Sequence, residues 1–293
     1  MSKRNRPVQT MARLIISFVM AIFLFAFLIL LSIRLTLFSE KHMEKIAKKT
    51  DYYQKLTTSI NKDISGYSLG SNVPKEVLGN VVSVQVVEDN VNNYFKAIYK
   101  PGITYQFSGA DELKTSMIDK IMAHANEKQV PIHSKESVAA LADKGVDIFT
   151  GYVKLPYLVQ FGQKLMNYKA MLTGSIFLTG LISALIAVFL LVTLRGYRHR
   201  LFRFLSYSFI AGGLMGIVIP AYLLVKDIFH YINIRNQAMY EFLTTYIRSF
   251  LWMFIYIGIG LLILGILSSN VVGEKSVGIN ALACFKMSLV NDK

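Results

Sequence analysis

From Leu14 to Ile33 the chain reads LIISFVMAIFLFAFLILLSI, twenty residues without a charge, a proline or a glycine. At about 1.5 Å per residue a helix of that length is about 30 Å long, the thickness of a bilayer's hydrocarbon core. The pattern therefore predicts a transmembrane helix over 14–37. Three later apolar runs, 171–194, 204–224 and 251–269, predict three more. Gly180 and Ala184, and Ser183 and Ala187, lie four apart in the second span, and Ala211, Gly212, Gly213 and Gly216 cluster in the third. Such small residues let helices approach closely in lipid, so they predict ordinary bundle packing. Pro220 predicts a kink near the end of the third span.

The polar region between the first two spans, 38–170, changes period. Ile46, Tyr53, Leu56, Ile60 and Ile64 form the stripe of an amphipathic helix, which predicts that the first span continues outward as a rod. Thr50 and Asp51 are the residues that can break it, since both types prefer caps to helix interiors. In KEVLGNVVSVQVVEDNVNNYFKAIYK, Val82, Val84 and Val86 alternate like a strand, while Val77, Val81, Val84, Val91, Phe95 and Ile98 fit a helix. The helical pattern lasts longer than strands usually do, and predicts one helix. After the Pro101-Gly102 turn, Ile103, Tyr105 and Phe107 predict a short extended piece. Ser108 and Asp111 read as a capping box for a helix carrying Leu113, Met117, Ile118, Ile121, Met122 and Ala125. Ser134 reads as the cap of another, buried through Val138, Leu141, Gly145, Ile148 and Tyr152, and Leu158–Tyr168 leads back to the membrane.

Charge supplies the orientation. The formal net charge is +14, and eight basic residues (Lys3, Arg4, Arg6, Arg13, Arg195, Arg198, Arg200 and Arg203) sit in two short segments flanking apolar runs. Topology explains them there, so they point to anionic lipid headgroups and not to nucleic acid. The positive-inside rule places 1–13 and the basic loop 195–203 in the cytoplasm. It follows that 38–170 and 225–250, a loop or helical hairpin, lie outside and that the tail 270–293 returns inside. The apolar run of the first span is longer than a signal-peptide core and no small-x-small site precedes Ser39, so a retained signal-anchor is expected. Arg34 near its outer end can snorkel to the headgroups.

The chemistry of catalysis is thinly represented. His42, His124, His133, His199 and His230 form no HExxH pair, and Cys284 lies in the expected cytoplasmic tail. His124, Glu127 and His133 can converge on a metal only across a turn, without the strong ligand spacings. No nucleophile elbow or phosphate-cradling loop is present, and the glycines of GIGLLILG fall within an apolar span. The expectation is no catalytic, cofactor-binding or metal residue, in a non-enzymatic protein. The tail from Val277 to Val290 reads as an interfacial helix or as unstructured chain.

The fold class expected is an all-α membrane protein of four transmembrane helices, with a mostly α-helical extracytoplasmic domain between helices 1 and 2. That layout resembles uncharacterised four-span envelope proteins of Gram-positive bacteria with a helical external insert. In topology alone it is also similar to MacB-like and FtsX-like permease subunits of ABC systems. The second resemblance implies an ATPase partner and a long coupling segment, where this chain has only Arg195–Arg203; the lack of that segment favours the other expectation, a non-enzymatic envelope sensor, binding or scaffold protein with a membrane or envelope protein as partner. Both place it in the plasma membrane with its two ends in the cytoplasm.

Overall fold

The computed structural model describes residues 6–69, 73–129, 134–155, 157–195, 198–226, 234 and 236–291; for 6–9, 198–199 and 270–291 the backbone alone is described. Among these residues all the regular structure is helical and there is no strand. Four helices are long and apolar enough to cross a membrane: α1 (Arg6–Leu35), α9 (Lys169–Thr193), α10 (Arg198–Val225) and α11 (Gln237–Asn291). The helical tail, left open by the sequence, is a continuation of α11 to Asn291. Two compact units result, one made of 1–37, 170–230 and 248–293, the other of 38–169 and 231–247.

In the first unit, α1 and α10 run parallel and are tied by a hydroxyl pair. Ser17 donates to the carbonyl of Phe204 (2.6 Å), and Ser208 donates to the carbonyl of Ser17 (2.8 Å). Both serines are buried, and each hydroxyl finds a carbonyl, as a polar group in an apolar bundle requires. Two glycines of α10 face α1: a methyl on Gly212 would meet Leu24 Cβ at 3.3 Å, and one on Gly216 would meet Leu28 at 2.5 Å. Gly213 points elsewhere, to α11, where its missing methyl would stand 2.8 Å from the carbonyl oxygen of Gly258. Here α10 and α11 are antiparallel, and Ser206 donates to the Gly265 carbonyl across the same crossing (2.7 Å). Helix α9 joins through Gly180, which lies against Phe27, and through Leu190 and Leu194 packed with Met20 and Leu24. The expected small-residue packing is thus present, with the glycines of α10 divided between two neighbours.

Because the four helices alternate in direction, residues far apart in sequence gather at each end of the unit. Arg13, Arg195, Arg200 and Arg203 fall at one, and neither 6–13 nor 194–207 contains an acid. At the other, Tyr222 in the last turn of α10 has Lys226 over its ring (5.9 Å), and Trp252 stacks on Tyr256 in α11, both largely exposed. Aromatics of this kind mark the headgroup level of a bilayer.

The second unit contains α2 (Glu40–Lys49), α3 (Tyr52–Ser68), α4 (Lys75–Leu78), α5 (Val84–Tyr99), α6 (Ala110–Lys128), α7 (Lys135–Val153) and α8 (Leu158–Asn167). Its core is a set of helical stripes: Leu56, Ile60 and Ile64 of α3, Val87, Val91, Tyr94, Phe95 and Ile98 of α5, and Leu113, Met117, Ile121 and Ala125 of α6. On α7 the buried line is Val138, Leu141, Gly145, Phe149 and Val153; Ile148 and Tyr152, expected on it, are only half-buried. Gly145 has no room for a methyl, because Met117 of α6 occupies the place.

Three local expectations are corrected. The first span does not run on as a rod: α1 ends at Leu35, and Ser39 caps α2 by accepting from the His42 amide (3.3 Å). A second break follows at Asp51, which adopts a left-handed φ of 51°. The valine-rich piece is two helices, because the side chain of Asn61 accepts from the Val82 amide (3.0 Å) and donates to the Val82 carbonyl (2.9 Å), holding the connection between them on α3. Ser108 forms no capping box: Gly109 is the N-cap of α6, and the Ser108 backbone is clasped by buried Asn90, which accepts from its amide and donates to its carbonyl (both 2.9 Å). Ser134, by contrast, caps α7 as expected, accepting from the Glu136 amide (3.1 Å).

Candidate functional site

The segment 237–247 opens α11 and belongs to the second unit. Asn236 starts the helix by accepting from the amides of Ala238 (2.9 Å) and Met239 (3.3 Å), which satisfies two donors a helix N-terminus would leave bare. Ala238, Met239, Phe242 and Tyr246 then fall on one face at helical spacing, and all four are buried.

An aromatic seam receives that face. Phe242 stacks on Tyr52 of α3 (4.7 Å between centroids, 26°) and on Phe95 of α5 (5.8 Å, 14°). The Tyr52 hydroxyl points to the Met239 sulfur at 3.5 Å. One turn on, the hydroxyls of Tyr246 and Tyr99 lie 3.2 Å apart, and the His42 ring sits 5.8 Å from that of Tyr246. At the rim Lys55 pairs with Glu241, whose carboxyl is also hydrogen-bonded by Gln237 (3.2 Å). Hydrogen bonds from Lys55 and then Gln237 hold the Glu241 carboxyl below its usual range.

Burial pushes the phenols of Tyr52, Tyr99 and Tyr246 above their ordinary value, and that of Tyr94, behind Phe95, to about 12. All four stay neutral at physiological pH and serve as packing and hydrogen-bonding groups. His42 moves the other way: burial, and secondarily Lys45, lower its pKa below 6.5. The unfolded chain therefore takes up this proton first, so the contribution to stability is present above about 6.5 and is lost as the pH falls below it. Acidification is expected to loosen the seam, read as faster amide exchange in α2 and in 237–247. His42→Gln should flatten that part of the pH dependence; an unchanged profile in the variant would assign it to other groups.

A recess of about 610 Å³ lies between α3 and the α4–α5 connection, lined by Gln54, Thr58, Lys62, Asn80 and Ser83 among others. Much of its polar lining is already engaged: Thr57 and Thr58 donate to carbonyls of their own helix, and Asn61 is occupied by Val82. Among the metal candidates, His124 is half-buried on α6 with Glu127 exposed one turn on, while His133 lies outside the described residues. Among the described residues no three His, Cys, Asp or Glu side chains come together as a metal site. His230 also lies outside them, as do the side chains of His199 and Cys284.

Sequence reasoning gave 225–250 as a loop or helical hairpin and did not join 237–247 to the region 38–170. Ala238, Phe242 and Tyr246, spaced i, i+4 and i+8, are the signal that was there to be found. Comparison with protein-family models, with curated proteins and with solved structures finds no match to this chain.

Proposed function

We propose that the chain is a non-enzymatic protein of the cell envelope, a sensor, binding protein or scaffold. Its second unit stands outside the plasma membrane and both ends are in the cytoplasm. The observation that carries this is the composition of the second unit: 38–169 and 231–247 are separated in sequence by two apolar helices, yet fold together. Two such stretches share a unit only if both emerge on the same side of the bilayer. The end that carries Arg13, Arg195, Arg200 and Arg203 then faces the cytoplasm and its anionic headgroups. Helix α11 leaves the seam and becomes the fourth span without interruption, so a ligand or partner that shifts the seam moves a stiff element of the bundle. A permease-like role is the weaker reading, because α9 ends at Thr193 and α10 begins at Arg198, leaving little chain for a coupling segment.

Orientation is tested in intact cells with a membrane-impermeant maleimide, in a Cys284→Ser background. Asn126→Cys is expected to label without permeabilisation, and Arg195→Cys only after it. The reverse pattern would overturn the orientation. Crosslinking in native membranes, followed by mass spectrometry, would identify partners, and recovery of an ATPase subunit would favour the permease reading.

A further inference from the structure

Helix α8 has two faces of different character. Its inner face is fixed to α5 and the loop after it: a methyl on Gly162 would collide with Ile98, and the Gln163 amide donates to the carbonyls of Ala97 (2.8 Å) and Ile103 (2.8 Å). Met166 is buried one turn on. Outward at helical spacing stand Phe161, Lys164, Leu165 and Tyr168, with Phe161 65% and Tyr168 61% exposed. Tyr157, in the left-handed region at φ 63° just before the helix, is 80% exposed. Gln160 and Asn167 lie on the flank of this face, and no acid occurs anywhere in 148–169.

We propose that α8 is an interfacial helix, its aromatic face seated at the headgroup level of the leaflet that α9 enters. Three things select lipid over another occupant. The first is continuity: α8 ends at Asn167 and α9, an apolar helix long enough to cross the membrane, begins at Lys169, so Tyr168 alone separates them. That places Tyr168 at the bilayer boundary and leaves Phe161 about 10 Å away along the α8 axis. The second is composition, because tyrosine, phenylalanine and lysine on one face are the residues that settle at a membrane interface. The third is the absence of acid on a helix that would meet anionic lipid. The Gly162 and Gln163 contacts fix α8 within its own unit, so the face it turns outward is set by the fold.

This inference rests on the membrane reading of α9, and the test separates the two. The full chain, Cys284→Ser, is reconstituted into vesicles of phosphatidylethanolamine and phosphatidylglycerol. Nitroxides are placed singly through Phe161→Cys, Gln160→Cys, Asn126→Cys and Leu181→Cys. Collision with oxygen, concentrated in lipid, is compared with collision with a water-soluble nickel chelate. Position 161 is expected to show an oxygen-to-nickel ratio several-fold above that at 126 and above that of its neighbour 160, with 181, in the middle of α9, highest of all. If 161 matches 126 while 181 reads as bilayer, α8 is in water and the proposal is overturned with the membrane reading intact. If 161 is shielded from both reagents, a protein surface covers the face, and the proposal is equally overturned. A water-like value at 181 would instead remove the membrane reading itself.

Discussion

Replacing Phe242 with alanine is expected to destabilise the second unit by about 3–5 kcal/mol, the range seen when a buried phenylalanine is truncated in a core that cannot collapse. The ring is 3% exposed and touches three aromatic neighbours, Tyr52, Phe95 and Tyr246. Their partners are fixed in turn by the Tyr99–Tyr246 hydroxyl contact and by the Tyr52 contact to Met239, so the space cannot close by a rotamer change alone. Phe242→Leu keeps most of the apolar volume and should lose about 1–1.5 kcal/mol. Glu241→Gln removes the rim ion pair, but with side chains 42% and 37% exposed that pair is screened by water, so its loss should cost under about 1 kcal/mol. Denaturation of the purified chain in detergent, followed by near-ultraviolet circular dichroism, ranks the three. A Phe242→Ala variant as stable as Glu241→Gln would show that the seam does not hold the segment.

The order of those effects carries a functional consequence. Because the seam is dominated by ring packing and not by the ion pair, it should respond to whatever wedges or withdraws the rings, and little to salt. The sequence suggested a different rod, from the first span through Ile46 and Tyr53 to Ile64, and the two breaks at 36–39 and at Asp51 remove it. Helix α11 is the uninterrupted element instead, running from the seam into the bundle.

What was legible, and what was not, follows from where each determinant resides. The four apolar helices announce themselves by length and composition, which are local properties, and the stripes of α3, α6 and α7 by periods that burial imposes on a single helix. The division of 75–99 into two helices is different in kind. Its valines fit strand and helix alike, and the arbiter is a side chain 21 residues away, Asn61, which takes both polar groups of the Val82 peptide. Likewise the chain leading into α6 is arranged by Asn90, which holds the Ser108 backbone, and not by the Ser108–Asp111 pair. Tertiary hydrogen bonds of this sort leave no periodic trace. The seam is intermediate: the stripe Ala238, Phe242, Tyr246 was present, but its partner face lies some 150 to 190 residues earlier, on α3 and α5.

Gly213→Leu is expected to part α10 from α11, destabilising the first unit by about 3 kcal/mol or more, because the added side chain meets backbone and not a pliable neighbour. At the crossing, a methyl on Gly213 already falls 2.8 Å from the Gly258 carbonyl oxygen and 3.1 Å from the Leu262 amide, and a methyl on Gly258 falls 3.0 Å from the Gly213 carbonyl. Neither helix can yield without also stretching the Ser206 bond to the Gly265 carbonyl. In lipid no hydrophobic drive pushes the helices back together, so lost contact is not recovered elsewhere. Gly260 supplies the control from the same helix: nothing lies within 4 Å of its missing methyl, so Gly260→Ala should be neutral or should gain about 0.5–1 kcal/mol from the better helix former. Titration of the purified chain with a denaturing detergent, followed by far-ultraviolet circular dichroism, is expected to shift the midpoint downward for Gly213→Leu and not for Gly260→Ala. Equal midpoints for the two would mean that the glycine crossing does not hold α10 to α11.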